Sequence, residues 1–128
     1  MTSHPLSAQG QATLAVVQQF NAAMSERDVE AIMALMTDDC VFENTFPPPD
    51  GTRYTGTAAV RAFWEEMFRA TSHPVFDTEE AFACGDRCVV RWTYRWDNPD
   101  GTRGHVRGVD VMQVREGKVA EKLSYVKG

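Results

Sequence analysis

Basic charge is scarce in this chain. Against 18 Asp and Glu stand only 13 Lys and Arg, which leaves 128 residues with a net charge of -5. A nucleic-acid binder needs a basic face for phosphates, and the deficit argues against one, as it does against adhesion to an anionic membrane. Long hydrophobic runs are missing too: none approaches the roughly 20 apolar residues that span a bilayer. The opening stretch from Met1 to Gln11 has neither a basic start nor an apolar segment, so no secretory signal is read and the expected location is cytoplasmic. Cysteine is sparse and odd in number, with Cys40, Cys84 and Cys88, which makes no disulfide scaffold. Cys84 and Cys88 flank the turn Gly85-Asp86-Arg87 and could face each other across it; buried thiols acting as small hydrophobes are the expectation. The three histidines, His4, His73 and His105, have no ligand spacing, so no metal is expected.

What is present is an ordinary globular balance of 43% apolar and 24% charged residues. The length fits one domain over residues 1–128, with residues 1–10 expected as a flexible N-terminal segment. The first half reads as helix. Leu14, Val17, Phe20 and Met24 recur near the 3.6 period between Ser7 and Met24. Asp28 suits the N-cap of a second helix with Ile32, Leu35 and Met36 inward, ended by Asp38-Asp39. Val41 to Asn44 reads as a short strand before the proline-rich loop Phe46 to Gly51. Thr57 caps a third helix with Val60, Phe63, Trp64, Met67 and Phe68 on one face, closed by Pro74.

The second half reads as an antiparallel meander. Val75–Ala83, Arg87–Trp96, Gly104–Arg115 and Lys118–Val126 are strand-like and separated by strong turn signals. Helices first and a meander afterwards make an α+β domain. Along the second of these strands Val90, Trp92, Tyr94 and Trp96 share one face, opposite Val89, Arg91, Thr93 and Arg95. That aromatic face is either a pocket wall or plain core. Val109 to Val114 is apolar on nearly every residue except Asp110, so both its faces are expected to be covered, one of them by a second copy in a homodimer.

Several runs in order resemble nuclear transport factor 2-like proteins: Val16 to Met24, Arg27-Asp28, Ile32 to Asp39, Gly56 to Phe63, and Val114 to Lys122. Within that superfamily the chain is most similar to the SnoaL-like and ketosteroid-isomerase-like branches. The resemblance implies a cone-shaped barrel, three N-terminal helices packed on a strongly curved antiparallel sheet, around an apolar small-molecule ligand. It also implies an activity of the isomerase or cyclase kind, although the fold hosts non-catalytic binders as well. The isomerase's base aligns with Asn44, which cannot accept a proton at neutral pH. Its oxyanion tyrosine aligns with Phe20, which has no hydroxyl, and its neutral aspartic acid with Asp110. The epoxide-hydrolase set is also depleted, with Phe42, Thr93 and Ser124 at its positions. The polyketide-cyclase set of an acid, an Asn and a His is matched by Asp110, Asn44 and His105.

Asp110 is therefore the leading catalytic candidate. A lone carboxylate in an apolar strand is desolvated, which favours the neutral acid and suits it to proton transfer; a salt bridge to Lys122 on the next strand is the structural alternative. Asn44 is a candidate for steadying an oxyanion, or else turn chemistry, and His105 a third candidate. Lys122, close to a hairpin, reads as a surface lysine rather than a nucleophile. Strand parity puts Asp110 and Met112 on the face of Val90, Trp92 and Tyr94, with Phe20, Met24 and Trp64 closing the cavity from the helices. The implied function is cofactor-independent proton transfer on an apolar carbonyl compound, or non-catalytic binding of a hydrophobic ligand.

Overall fold

The computed structural model describes residues 7–70 and 75–127. Helix α1 spans Ala8–Ser25, and Ser7 caps it by accepting the Gly10 N–H at 3.0 Å. Residues 8–10 thus open α1; of the flexible segment expected over 1–10, residues 1–6 lie outside the described residues, as does Pro74. Helix α2, Val29–Ala34, is capped by Asp28, which accepts the Ala31 N–H. It ends two residues before Met36, which opens strand β1, Met36–Glu43. The apolar period that assigned Met36 to the helix has a different cause: Met36, Cys40 and Phe42 are buried from a strand, around a bulge at 37–40. The proline-rich loop then leads into β2, Arg53–Thr55, and α3, Thr57–Ala70.

The remaining chain forms β3 (Val75–Cys84), β4 (Arg87–Asp97), β5 (Arg103–Arg115) and β6 (Lys118–Val126). The six strands make one curved, unclosed sheet in the order β2-β1-β6-β5-β4-β3, with the helices on one face. Every neighbouring pair is antiparallel except β1–β6, which is parallel. The fold is therefore the expected α+β cone, with one correction: the strand expected over Val41–Asn44 is longer, Met36–Glu43, and joins the meander in parallel, and the first half adds a further strand, β2.

Register explains two wide side chains in β4. Trp92 pairs with Gly108 and Trp96 with Gly104, so each indole lies over a glycine of β5. A Cβ at Gly108 would sit 2.8 Å from the Trp92 ring, and one at Gly104 would sit 2.4 Å from the Trp96 ring. The core lies between helices and sheet, with Val17, Phe20, Ile32, Val60, Trp64, Val90, Met112 and Val119 all at or near zero exposure. Fully burying such side chains stabilises by about 1.5–3 kcal/mol each.

Candidate functional site

Strand pairing concentrates the chemistry on the concave face. Directly opposed residues share a face, and Val90 opposes Asp110, Asp110 opposes Ser124, and Phe42 opposes Lys122. Asp110 and Lys122 are buried to 5% and 7% exposure. Lys122 Nζ donates to Asp110 Oδ2 at 2.9 Å and to Ser124 Oγ at 3.3 Å, while Ser124 Oγ donates to Asp110 Oδ1 at 2.6 Å. Each carboxylate oxygen thus has its own donor. The ammonium also sits 5.1 Å from the Phe42 ring centroid and 5.8 Å from that of Trp64, within cation–π range.

This polar floor opens into a cavity of about 40 Å³ lined by Asn21, Met24 and Ser25 of α1, Phe76 and Thr78 of β3, and Val90, Trp92, Asp110 and Lys122. The three α1 residues stand at i, i+3 and i+4, one face of the helix. At about 10–15 Å³ per water the space holds roughly three waters. Met24, Ser25 and Phe76 also line a second hollow of about 200 Å³ with Arg27, Phe68 and Val75, so these three side chains partition an inner space from an outer one. Phe76 is held by stacking on Tyr94 at 4.4 Å. The indole N–H groups of Trp92, in the cavity wall, and of Trp64 are buried and meet no acceptor among the described residues.

Of the residues named from sequence, the structure brings Asp110, Met24, Val90 and Trp92 into the cavity lining. Phe20, Trp64 and Met112 are behind it in the packed core, and Tyr94 supports Phe76 from the side. Asp110 is not the lone carboxylate expected, because the ion pair with Lys122 holds it. His105 is not part of the site: it is exposed and opposes Arg95 on the other face of the sheet. Asn44 Oδ1 accepts the N–H groups of Thr52 at 2.8 Å and Phe46 at 3.3 Å, which pins the proline-rich loop. Asn44 lines a separate surface hollow with Ser124 and does not line the Asp110 cavity. Sequence reading missed Asn21, Ser25, Phe76 and Thr78 as lining. It read Lys122 as a surface lysine, whereas Lys122 is buried, and the salt bridge to Asp110 raised as the alternative is present. Cys84 is exposed while Cys40 and Cys88 are buried; Cys88 opposes Ala83, so Cys84 and Cys88 do not face each other. Among the described residues no three His, Cys, Asp or Glu group as metal ligands, and no helix is long and apolar enough to cross a membrane.

Residues 17–122 match the sequence profile of the SnoaL-like domain, most of the chain. The protein belongs to the SnoaL-like family. This SnoaL-like chain is 37% identical to a nuclear transport factor 2-like protein of unknown function from Mesorhizobium loti, with all of both chains covered and a TM-score of 0.82. It is 20% identical to a candidate ketosteroid isomerase from Kribbella flavida, covering 94% of this chain and 81% of that one at a TM-score of 0.76. With a candidate polyketide cyclase from Xanthomonas campestris it shares 19% identity over 94% and 93% of the chains, at a TM-score of 0.77. At such identities the last two likenesses carry the fold and not the reaction. No curated protein matches the sequence.

Proposed function

We propose that this SnoaL-like protein binds an apolar carbonyl compound in the cavity over Asp110 and Lys122 and moves a proton on it without a cofactor. The observation that carries the reading is a buried carboxylate–ammonium pair in the floor of an otherwise mostly apolar cavity. Asp110 is the base that takes a proton α to the carbonyl. Lys122 supplies the positive charge that stabilises the developing oxyanion, in place of the hydroxyl that Phe20 lacks, and the free Trp92 N–H offers a further donor. Met24, Ser25 and Phe76 must part to admit a ligand, since the inner cavity is far below the roughly 300 Å³ of ordinary ligand sites.

The second reading is a non-catalytic hydrophobic-ligand module. It is favoured by one observation, that protein donors already occupy both oxygens of Asp110. A thermal-shift panel of hydrophobic ketones, phenols and sterols finds the ligand class. Proton NMR of a bound ketone in D₂O then separates the readings. Catalysis requires exchange of α-protons by the wild type and its loss in Asp110→Asn; binding without exchange leaves the module. We further propose a cytoplasmic homodimer joined through the convex face of the sheet. That face carries the apolar row Phe82, Val89, Val111 and Leu123, in register across β3, β4, β5 and β6.

A further inference from the structure

We propose that Lys122 is a carbonyl-capturing nucleophile, its ε-amine forming an imine with an aldehyde or ketone held in the cavity. The inference rests on reading that cavity as a site for a carbonyl compound. It starts from which cation the chain uses where. Every other ion pair among the described residues takes its cation from an arginine: Arg53, Arg61, Arg69, Arg87, Arg91, Arg95, Arg103, Arg107 and Arg115. Only the buried pair in the cavity floor uses lysine. For holding a carboxylate the arginine fork is the better tool, because it is bidentate and more weakly hydrated. A primary amine can do one thing that a guanidinium cannot, which is to add to a carbonyl. The sequence holds three lysines, and the other two, Lys118 and Lys127, are exposed.

The surroundings of Nζ supply the rest of the chemistry. Transfer of one proton across the 2.9 Å contact from Nζ to Asp110 Oδ2 yields a neutral amine beside a neutral acid and removes two charges from a water-poor site. The amine lone pair then forms the N–C bond while the carbonyl π pair moves to oxygen, which takes the proton from Asp110. Asp110, again a carboxylate, accepts a proton from the attached nitrogen, leaving a neutral carbinolamine. The nitrogen pair next forms C=N as the C–O bond breaks, and the departing oxygen leaves as water with the proton from Asp110. The balance is ammonium plus carbonyl compound giving a protonated imine plus water, with Asp110 returned as carboxylate and no redox partner needed. The protonated imine is a stronger electron sink than a carbonyl, so the same carboxylate can then take an α-proton. Phe42 and Trp64, whose faces lie beside Nζ, shield the cation formed.

Cyclohexanone in ¹⁸O-labelled water tests the step, because imine formation and hydrolysis replace the carbonyl oxygen whereas simple enolisation replaces only α-hydrogens. The wild type is expected to speed oxygen exchange at least about tenfold over buffer, as covalent capture by an activated amine implies. Cyanoborohydride should freeze the adduct, and peptide mapping should find it on Lys122, with Lys118 and Lys127 at background. Lys122→Arg keeps the charge and should lose oxygen exchange; if that variant does not fold, the wild-type mapping decides alone. Oxygen exchange no faster than buffer, or adducts on Lys118 and Lys127 but not Lys122, overturns the proposal. If α-protons exchange while oxygen does not, the covalent step falls and the proton-transfer reading stands. If cyclohexanone neither binds nor exchanges, both fall.

Discussion

Asp110 and Lys122, with side chains 8% and 9% exposed, hold each other in place. Two buried charges pay a large desolvation penalty that their attraction roughly offsets, so breaking the pair from one side is far worse than replacing both partners. Lys122→Met should destabilise the fold by about 3–5 kcal/mol, because it strands the carboxylate with only Ser124 as donor. Asp110→Asn should also destabilise, by leaving an ammonium among Phe42, Trp64 and an amide. The double variant Asp110→Leu with Lys122→Met should recover most of the loss. Urea denaturation of the wild type, Asp110→Leu, Lys122→Met and the double variant checks this; a double-variant loss equal to the sum of the two single losses would show that the pair is not coupled. A second outcome at this scale concerns the thiols. Burial pushes the Cys40 and Cys88 thiols above their ordinary range, while Cys84 is exposed. Ellman's reagent should titrate one thiol per native chain and three after denaturation. Asp110 was legible because a charge in an apolar strand is conspicuous. His105 and Asn44 were not separable from it by residue type, since only register sends His105 outward and only the loop's backbone shows what Asn44 Oδ1 does.

Elements were legible in proportion to how local their cause is. The three helices and the meander follow from period, caps and turn residues within the segment. Strand β2 has only three residues, Arg53-Tyr54-Thr55, too few to show a period, and the parallel pairing of β1 with β6 joins segments about eighty residues apart. The same non-local register gives Gly104 and Gly108 different roles despite their similar sequence settings. At Gly108 a Cβ would meet the Tyr125 carbonyl oxygen at 2.2 Å as well as the Trp92 ring, whereas at Gly104 its three nearest atoms all belong to the Trp96 side chain. Backbone cannot move aside as a half-buried indole can. Gly108→Ala should therefore cost about 1–3 kcal/mol, as overpacking does. Displacing Trp92 should also alter its fluorescence and ligand binding at the cavity. Gly104→Ala should be much milder in both readouts, and thermal unfolding with tryptophan emission measures the contrast.

For the whole molecule, the two faces of the sheet pose unequal problems. The helices cover the concave face, but among the described residues no helix covers the apolar row on the convex face: Phe82 is 50% exposed, and Tyr125 nearby is 54% exposed. Ion pairs frame the row. Glu79 pairs with Arg91 and Arg107 on one side, Arg87 with Glu121 on the other, and Arg53 with Glu43 beyond Leu123. An apolar centre with a charged rim is the anatomy of a protein interface, and a two-fold pairing of such a face matches its row with itself. Val111 lies within the row, opposed by Val89 on one side and Leu123 on the other. A lysine there would point into solvent in an isolated chain and harm it little, yet in a two-fold pair it would bury two like charges in an apolar centre. Sedimentation velocity at tens of micromolar should give the wild type twice the 14.3 kDa chain mass and Val111→Lys a single chain mass, with unchanged far-UV dichroism. A wild type that sediments as one chain at that concentration would remove the dimer, and the row would then need another occupant.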